Sequence, residues 1–346
     1  MFLKDCWYVA GWDHEISDHL LARTILDHPV MLFRSPEGTP HALEDRCCHR
    51  GLPLSLGHVH ENTVQCGYHG LEFDFNGACV NVPGQSTIPP EARVRSYPVV
   101  EKWRWVWIWM GDPALADEAL VPDYHWNDDP QWTAYGDVFH VAGDYRLMVD
   151  NLVDLSHIQF LHKTSLGAAG DQDADIKMRR TDENVFVDRW TMDTAPAPFY
   201  ALALGTNANV DRWQKITYAP PSHIVIDAGS ALAGTGARDG DRSCGAEIYS
   251  NHTMTPETET STHYFWHHAR NFRLDDSDFT EQLRSVFTSA LNEDVVAIAA
   301  QQRSIDLNGH RPVIDINVDN SAQQARNLLD DRIADEARNN NPDHGP

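Results

Sequence analysis

Two short segments of the chain each combine a cysteine with a histidine. The first reads Cys47-Cys48-His49-Arg50-Gly51, and the second reads Cys66-Gly67-Tyr68-His69-Gly70. Sixteen residues separate His49 from Cys66. Two thiolates and two imidazoles suit either a tetrahedral zinc ion or a cluster of two irons. Zinc sites usually pair Cys with Cys and His with His, whereas here each loop is mixed. The pattern therefore favours a two-iron cluster, with zinc as the alternative; the candidate ligands are Cys47, His49, Cys66 and His69.

The sequence contains six cysteines, an even number that would permit disulfide bonds. A chain of 346 residues can bury a large core without covalent cross-links, and its first residues lack the apolar segment of a secretion signal. We therefore expect no disulfide framework, and a cytoplasmic protein.

A second set of candidate ligands lies within residues 150–162, where polar side chains interrupt an apolar run. On a regular helix, with about 100° per residue, Asp150, Asp154 and His157 fall on one face. His162 would lie about 140° from His157 on such a helix. Both imidazoles can therefore reach one ion only if the helix ends, kinks or bulges between them. The alternative is a solvated helix face with incidental histidines.

A long helix is predicted over residues 278–305, and it places a carboxylate on an apolar face. The apolar stripe, with a period of 3.6 residues, consists of Leu283, Phe287, Leu291 and Ile298. Asp294 falls within this stripe and needs a compensating charge such as a metal ion, whereas the neighbouring Glu293 is expected to point into solvent. Two histidines and one carboxylate form the ligand set of mononuclear non-haem iron sites that use dioxygen. We therefore assign His157, His162 and Asp294 as metal ligands.

Charge and hydropathy exclude several classes of function. The chain has 27 Lys and Arg against 51 Asp and Glu, a net charge of −24. A field of this sign repels phosphodiester backbones and anionic lipids, so we expect neither nucleic acid nor membrane as a partner. The longest apolar run, Trp105–Met110, is far shorter than the ~20 residues of a spanning helix.

The element pattern predicts an α+β protein with two domains. Residues 1–120 show short β-type runs punctuated by Gly and Pro, including an alternating strand over Trp103–Met110. Residues 121–346 contain a helical stretch at 145–162, a run of strands at 185–272 and the long helix, which predicts an antiparallel sheet flanked by helices. The last ten residues are expected to fray.

Both motif regions resemble the Rieske non-haem iron oxygenases. The resemblance rests on Cys47–Ser55 and Cys66–Asp74 for an N-terminal antiparallel-β Rieske domain, and on Asn151–His162 with Glu293-Asp294 for a C-terminal catalytic domain. Relatives usually carry proline where this chain has Cys48, which we interpret as a bystander. Within the family, the chain is most similar to oxygenases built from α subunits alone that act on aromatic acids, such as vanillate and dicamba O-demethylases and toluenesulfonate methyl-monooxygenase.

The resemblance implies a terminal oxygenase component with a [2Fe-2S] Rieske cluster and a mononuclear Fe(II). Such a component uses O₂ and two electrons to hydroxylate a methyl or methoxy group of an aromatic acid. The sequence lacks the G-x-G-x-x-G dinucleotide fingerprint, so a separate NAD(P)H-dependent reductase with flavin and an iron–sulfur cluster is expected. By the same resemblance, Asp154 links His69 of one subunit to His157 of its neighbour in a homotrimer, Asn151 is a second catalytic residue, and His252 contacts substrate.

Three alternatives remain open at this point. A ring-hydroxylating dioxygenase would use the same two centres, a Rieske electron carrier would lack the second one, and a zinc scaffold would hold no iron. For the substrate pocket, His267 and His268 are adjacent on a predicted strand and face opposite ways, so at most one of them lines a cavity. Arg270 is a weaker candidate.

Overall fold

The computed structural model describes residues 1–162, 174–309 and 314–340, and the chain divides into two compact units. The first unit comprises Met1–Asp123 together with Thr255–Glu259. The second comprises Tyr124–Met254 and Thr260–Pro346. Nothing in the sequence pattern predicts that Thr255–Glu259, which is more than 130 residues beyond Asp123, joins the first unit.

The first unit is built from short antiparallel strands, as its Gly and Pro punctuation predicts. The strands are β1 (Trp7–Trp12), β2 (Leu21–Ile25), β3 (His28–Arg34), β4 (Pro40–Glu44), β5 (His58–His60), β6 (Thr63–Gln65), β7 (Glu72–Asp74), β8 (Cys79–Asn81), β9 (Ser96–Tyr97), β10 (Val99–Lys102) and β11 (Trp105–Trp109). They form sheets in the orders β1-β11-β10, β2-β3-β4-β9 and β5-β6-β7-β8.

The tryptophan-rich strand β11 is shorter than predicted. Trp103 and Arg104 have φ angles of 59° and 64° and form the turn of the β10–β11 hairpin, because a two-residue hairpin turn of this kind needs positive φ at both central residues. All residues of β11 are buried, and Trp109 packs edge-on against Trp7 with ring centroids 5.4 Å apart. The tryptophans therefore form core, as the alternation predicts.

The second unit contains one large antiparallel sheet flanked by helices, which confirms the α+β prediction. Its elements are β12 (Thr133–Val141), α1 (Tyr145–Val153), α2 (Ile158–Leu161), β13 (Asp175–Arg180), β14 (Val185–Thr194), α3 (Pro198–Leu204), β15 (Val210–Ala219), β16 (His223–Leu232), β17 (Ala246–Thr258, whose end from Thr255 belongs to the first unit), β18 (Ser261–Arg270), α4 (Ser277–Asn308) and α5 (Asn320–Asn339). Among the described residues the sheet has seven strands, in the order β12-β18-β17-β16-β15-β14-β13.

The helical stretch predicted over residues 145–162 is two helices, not one. Helix α1 ends at Val153, and Asp154 has extended dihedral angles. The carboxylate of Asp154 accepts hydrogen bonds from the amide and the hydroxyl of Ser156, over 2.7 and 3.0 Å. This local turn competes with the helix. The prediction that Asp150, Asp154 and His157 share one face of a continuous helix is therefore wrong.

Helix α4 confirms the predicted apolar stripe and extends slightly beyond the predicted ends. Asp276 caps its first turn by accepting a hydrogen bond from the amide of Phe279, over 2.9 Å. The buried residues of α4 include Leu283, Leu291 and Asp294. Helix α5 was not predicted, and the predicted fraying of the last ten residues falls mostly on residues 341–346, which lie outside the described residues.

All six cysteines are free, as predicted: Cys6, Cys47, Cys48, Cys66, Cys79 and Cys244. Within residues 1–162, 174–309 and 314–340, no helix has the length and apolar character needed to cross a bilayer.

Candidate functional site

The two Cys/His loops of the first unit close in the same way. In each loop the amide of the cysteine donates to the carbonyl five residues later over 2.8 Å. The amide of the glycine four residues after the cysteine donates back to the cysteine carbonyl, over 2.9 Å at Gly51 and 3.1 Å at Gly70. These two glycines have φ angles of 70° and 72°, a conformation that a residue with a Cβ atom adopts only under strain. The loops are therefore two copies of one tight turn.

The four predicted cluster ligands meet where these loops lie side by side. The rings of His49 and His69 are exposed, with centroids 4.6 Å apart, whereas Cys47 and Cys66 are each only 3% exposed. Burial, together with the neighbouring Cys66 thiol, raises the pKa of the Cys47 thiol to about 11. A buried pair of thiols beside an exposed pair of imidazoles fits a cluster with sulfur ligands on one iron and nitrogen ligands on the other. Cys48 is exposed.

In the second unit, the predicted metal ligands His157, His162 and Asp294 come together. Candidate ligand atoms of the three residues all lie within 4.8 Å of one another. The Nε2 atoms of His157 and His162 are 3.6 and 3.1 Å from Oδ1 of Asp294. Metal–ligand bonds of about 2.0–2.2 Å at cis or tetrahedral angles separate neighbouring donor atoms by roughly 3.0–3.5 Å. The donor set therefore fits a single metal ion; we call these residues the triad.

Helix α2 explains how two histidines five positions apart reach the same carboxylate. This helix is a single turn, with His157 at its N-cap and His162 at its C-cap. Helix α1 ends at Val153, before His157, and α2 ends at Leu161, before His162. The helix therefore ends between the two histidines, as the sequence analysis required. Asp150 is not part of the triad: its Oδ2 lies 3.5 Å from Nη1 of Arg326 on α5.

Each triad residue has a polar neighbour. Nδ2 of Asn151 donates to Oδ1 of Asp294 over 3.0 Å, and Oδ2 of Asp154 lies 3.8 Å from Nδ1 of His157. Nδ1 of His157 has no hydrogen-bond partner among the described residues. Both predicted catalytic residues, Asn151 and Asp154, thus adjoin the triad.

Glu293 also adjoins the triad, so the prediction that it points into solvent is wrong. Its Oε2 lies 2.7 Å from Nδ1 of His162. Because a carboxylate only accepts, this bond places a proton on Nδ1 and leaves Nε2 to face Asp294. The sequence does hint at this contact, because the carboxylate of Glu293 is adjacent to the candidate ligand Asp294. Whether the ring of His162 lies close enough to contact Glu293 on α4 depends, however, on the position of α2.

The charges of the triad shift the pKa values of both histidines. Burial lowers the pKa of His157, and Asp294 and Asp154 oppose this effect only in part. Burial also acts to lower the pKa of His162, but hydrogen bonds and charge from Asp294 and Glu293 outweigh it and raise that pKa. The two imidazoles are thus electrostatically different before any ion binds.

The triad lies on the wall of a cavity of about 120 Å³ in the second unit. Helices α1, α2, α3 and α4 and the turn between α1 and α2 contribute mainly apolar walls, among them Leu152, Leu155, Ile158, Phe199, Phe287 and Leu291. Strands β15 to β18 contribute Arg212, Gln214, Ile226, Ala228, Ile248, Ser250, His252 and His268. An apolar space with a few polar groups is the usual form of a small-molecule site.

Of the histidines considered as substrate contacts, His252 and His268 line this cavity and His267 does not, as the alternation predicts. His252 is 1% exposed, and its ring nitrogens pair with Oγ of Ser250 and the hydroxyl of Tyr264, both over 2.7 Å. Burial lowers the pKa of His252 to about 3, so the ring is neutral at pH 7.

Arg270 is not a substrate residue in this structure. Its guanidinium donates to the carbonyls of Phe272 and Asp276 and to Oγ1 of Thr280, and it is absent from the cavity wall as described. It ties the end of β18 to the first turn of α4.

Comparison with known proteins matches a family model to each part of the chain. Residues 6–98 match the model of the Rieske [2Fe-2S] domain, and residues 141–335, more than half of the chain, match the model of the vanillate O-demethylase oxygenase C-terminal domain. The chain belongs to the Rieske oxygenase family. The resemblance inferred from the motifs is confirmed, and with it the [2Fe-2S] cluster of the N-terminal domain.

Curated relatives match this Rieske oxygenase over nearly its whole length. It is 41% identical to the iron-sulfur subunit of the toluene-4-sulfonate monooxygenase system of Comamonas testosteroni, over 95% of this chain and 96% of the relative. It is 38% identical to the vanillate O-demethylase oxygenase subunit of Pseudomonas sp. (strain HR199 / DSM 7063), over 97% and 96%. Dicamba monooxygenase bound to dicamba superposes with a TM-score of 0.89 at 35% identity, covering 97% of this chain and 99% of that one. This Rieske oxygenase is therefore an oxidoreductase, and the names of its relatives favour a monooxygenase.

Proposed function

We propose that this chain is the terminal oxygenase component of a multicomponent system that hydroxylates a methyl or methoxy group of an aromatic acid. The observation that carries the proposal is the cavity of the second unit, where the triad adjoins a mainly apolar wall. A flat apolar ring can occupy such a space while a substituent approaches the triad. Relatives named for toluene-4-sulfonate, vanillate and dicamba support the substrate class.

In this proposal the two loops hold the cluster through Cys47, Cys66, His49 and His69, and His157, His162 and Asp294 hold a mononuclear iron. We place the Rieske domain at residues 1–120 and the catalytic domain at 121–346. The cluster and the iron would together supply the two electrons and the open coordination positions that reduction of O₂ requires. The residues around them position the ligands and the substrate.

The neighbours of the triad fix the directions of its donor atoms. Asn151 donates to the oxygen of Asp294 that both histidines face, which holds the carboxylate in one rotamer. Glu293 keeps the proton of His162 on Nδ1, so that Nε2 presents its lone pair to the ion. The apolar walls exclude water and hold the aromatic ring against the triad.

Asp154 and His252 complete the proposed machinery. The position of Asp154 beside Nδ1 of His157 supports its role as the carboxylate that links the iron site to His69 of a neighbouring subunit in a homotrimer. His252, held by Ser250 and Tyr264 on the cavity wall, is proposed to contact the substrate. A separate NAD(P)H-dependent reductase supplies the electrons, and the free cysteines accord with the reducing cytoplasm.

Single-turnover oxidation tests the proposal. The reduced, iron-loaded protein is exposed to O₂ with methoxybenzoates, methylbenzoates and methyl-substituted benzenesulfonates. We expect formaldehyde with phenol from a methoxy group, or a benzylic alcohol from a methyl group. Dihydrodiol products would instead show a dioxygenase, and metal analysis with two irons per chain and no third would show an electron carrier.

A further inference from the structure

His268 is an imidazole of the cavity wall whose hydrogen-bonding capacity the protein does not use. It lies on β18, is 1% exposed and lines the cavity. Its Nδ1 is enclosed and has no hydrogen-bond partner among the described residues, and within those ranges the ring makes no other hydrogen bond. Buried polar groups are nearly always paired, because an unpaired one loses its hydration without compensation. His268 is therefore an exception that needs a partner from outside the chain.

His252, the neighbouring histidine of the wall, differs in this respect. Its two ring nitrogens pair with Oγ of Ser250 and with the hydroxyl of Tyr264. The ring centroids of His252 and His268 are 6.1 Å apart, so both rings border the same part of the cavity. The protein itself occupies both nitrogens of His252, whereas His268 keeps a donor and an acceptor for a ligand.

Aromatic packing holds the ring of His268 in place without fixing its proton. Its centroid lies 4.2 Å from that of Phe287, 5.1 Å from that of Trp266 and 5.6 Å from that of Tyr135. These contacts involve no lone pair or N–H group of a neighbour, so they select neither tautomer of the imidazole. A half-turn of the ring about its Cβ–Cγ bond occupies the same volume. The N–H group can therefore take the direction that a ligand requires.

The ring of His268 is neutral. Burial is the main cause that lowers its pKa well below the usual value, and the neighbouring His252 and His267 act in the same direction. A neutral imidazole carries one N–H donor and one acceptor nitrogen. His268 can therefore give a ligand a single directed hydrogen bond rather than a positive charge.

The contact between His268 and Phe287 places this imidazole away from the triad carboxylate. Phe287, Leu291 and Asp294 all line the cavity along α4. Phe287 lies seven residues before Asp294, which is about two turns, or roughly 10 Å, along a helix. The apolar side chain of Leu291 lies between them on the same face. The wall thus offers a polar group at each end of an apolar stretch.

We propose that His268 donates a hydrogen bond from its imidazole N–H to an oxygen of the acid group of the substrate, a carboxylate or a sulfonate on an aromatic ring. This inference rests on the proposed function and names a residue that selects the polar substituent. An ionised acid only accepts hydrogen bonds, and a bond to a charged acceptor is stronger than one between neutral groups. With the acid group at His268, the aromatic ring lies along the apolar stretch and its far substituent points to the triad.

Binding without turnover tests this assignment. Iron-loaded protein is titrated calorimetrically in the absence of O₂ with 4-methylbenzoate, toluene-4-sulfonate, 4-methylbenzamide and p-xylene. His268→Phe keeps an aromatic ring but has no N–H group. It is expected to weaken binding of the acids by about 10- to 100-fold and of the amide by about 2- to 10-fold, the usual losses for hydrogen bonds to charged and to neutral acceptors. The affinity for p-xylene should change by less than twofold.

A second variant distinguishes a hydrogen bond from packing. His268→Gln restores an N–H donor and should bring the affinity for the acids back to within about threefold of wild type. The acid that binds wild type more tightly identifies the anion. If His268→Phe does not fold, His268→Leu replaces it in the same comparison.

His267→Gln is the matched control. His267 is the adjacent residue of β18, is also buried and points to the opposite face of the sheet, so all four affinities should stay unchanged. Equal losses for the acids and p-xylene in His268→Phe would show that the ring only packs, and would overturn the assignment. So would equal affinities in His268→Phe and His267→Gln, or a wild type that binds 4-methylbenzoate no more tightly than p-xylene.

The outcome is separable from that of the proposed function. A wild type that gives no product in single turnover, yet loses affinity for the acids selectively in His268→Phe, refutes the function and keeps the binding role of His268. A wild type that turns over while His268→Phe binds the acids normally refutes the role of His268 alone.

Discussion

At the level of single residues, the triad is held by neighbours that are not themselves ligands. Asn151 and Glu293 each make a hydrogen bond to one triad residue, over 3.0 and 2.7 Å. Such partners fix the tautomer and rotamer of a ligand and so reduce the ordering that metal binding must otherwise impose. Metal affinity should therefore respond to Glu293 even though Glu293 touches no metal.

We predict that Glu293→Gln lowers the affinity of the mononuclear site for Fe(II) by about 10- to 100-fold. The amide cannot hold the proton on Nδ1 of His162 as a carboxylate does. Competition with a chelator, followed by iron analysis, measures the effect, and the visible spectrum of the cluster should not change. Glu281→Gln, on the same helix and exposed, is the control. Equal iron content in both variants would refute the role of Glu293.

For Asp154 we predict a different result. Asp154→Asn should leave three irons bound per chain but abolish steady-state turnover. A carboxylate can accept a hydrogen bond from an imidazole on each of its two oxygens, whereas an amide has only one acceptor oxygen. Metal analysis measures the bound iron, and oxygen consumption with reductase measures turnover. Near-normal turnover would contradict the bridging role.

Residue type and spacing were enough to predict that His157, His162 and Asp294 come together and that the two Cys/His loops meet, but not that Glu293 adjoins His162 or that Arg212 lines the cavity. A buried Asp294 shows in the periodicity of α4, which is local information. Whether Arg212 faces the cavity or the other side of the sheet depends on the register of β15 with its neighbours, which no local pattern contains.

At the level of elements, the end of helix α1 matters most, because Asn151 lies in its last turn and Asp154 just beyond it. The local turn formed by Asp154 and Ser156 interrupts the continuous helix that the apolar run predicts. Helix α4 was predicted because four apolar residues mark its buried side. Helix α5 was not, since its charged sequence buries only a few small or apolar residues, such as Ala325 and Leu328, and it depends on packing against α1.

The N-cap of α1 gives a prediction at this level. Oδ1 of Asp144 accepts a hydrogen bond from the amide of Arg146 over 2.9 Å. Asp144→Ala should lower the free energy of unfolding by about 1 kcal/mol, measured by urea denaturation. Asp144→Asn keeps the cap and should lose much less. Equal losses in the two variants would show that the charge of Asp144, and not the cap, stabilises the helix.

At the level of the whole molecule, buried histidines dominate the expected response to acid. Burial lowers the pKa of His252 to about 3 and those of His267 and His268 well below the usual 6.5. The folded state keeps these rings neutral, whereas the unfolded chain protonates them below pH 6.5. Their contribution to stability is therefore complete above pH 6.5 and is lost as the pH falls. Asp150 acts in the opposite direction, because burial raises its pKa to about 7 and the folded state holds its proton.

Unfolding below pH 6.5 should consequently take up protons at the three histidines, which outnumber the one group that acts in the opposite direction. The free energy of unfolding should therefore fall as the pH is lowered, and denaturant titrations between pH 5 and 8 measure this fall. In His267→Gln, which keeps an amide beside Asn251, the free energy of unfolding should depend less steeply on pH than in wild type. A slope near zero in wild type would refute the assignment of neutral buried histidines.

The segment Thr255–Glu259 has a consequence for building hybrid enzymes. The carbonyls of Pro256 and Glu257 accept hydrogen bonds from the amides of Leu26 and Asp27, both over 2.9 Å, and the hydroxyl of Thr255 donates to the carbonyl of Val9. A gene fragment that stops at codon 123 therefore encodes a Rieske domain that lacks the partners of three of its hydrogen bonds. Chimeras that exchange this domain between relatives need to transplant five codons from the distal half of the gene as well.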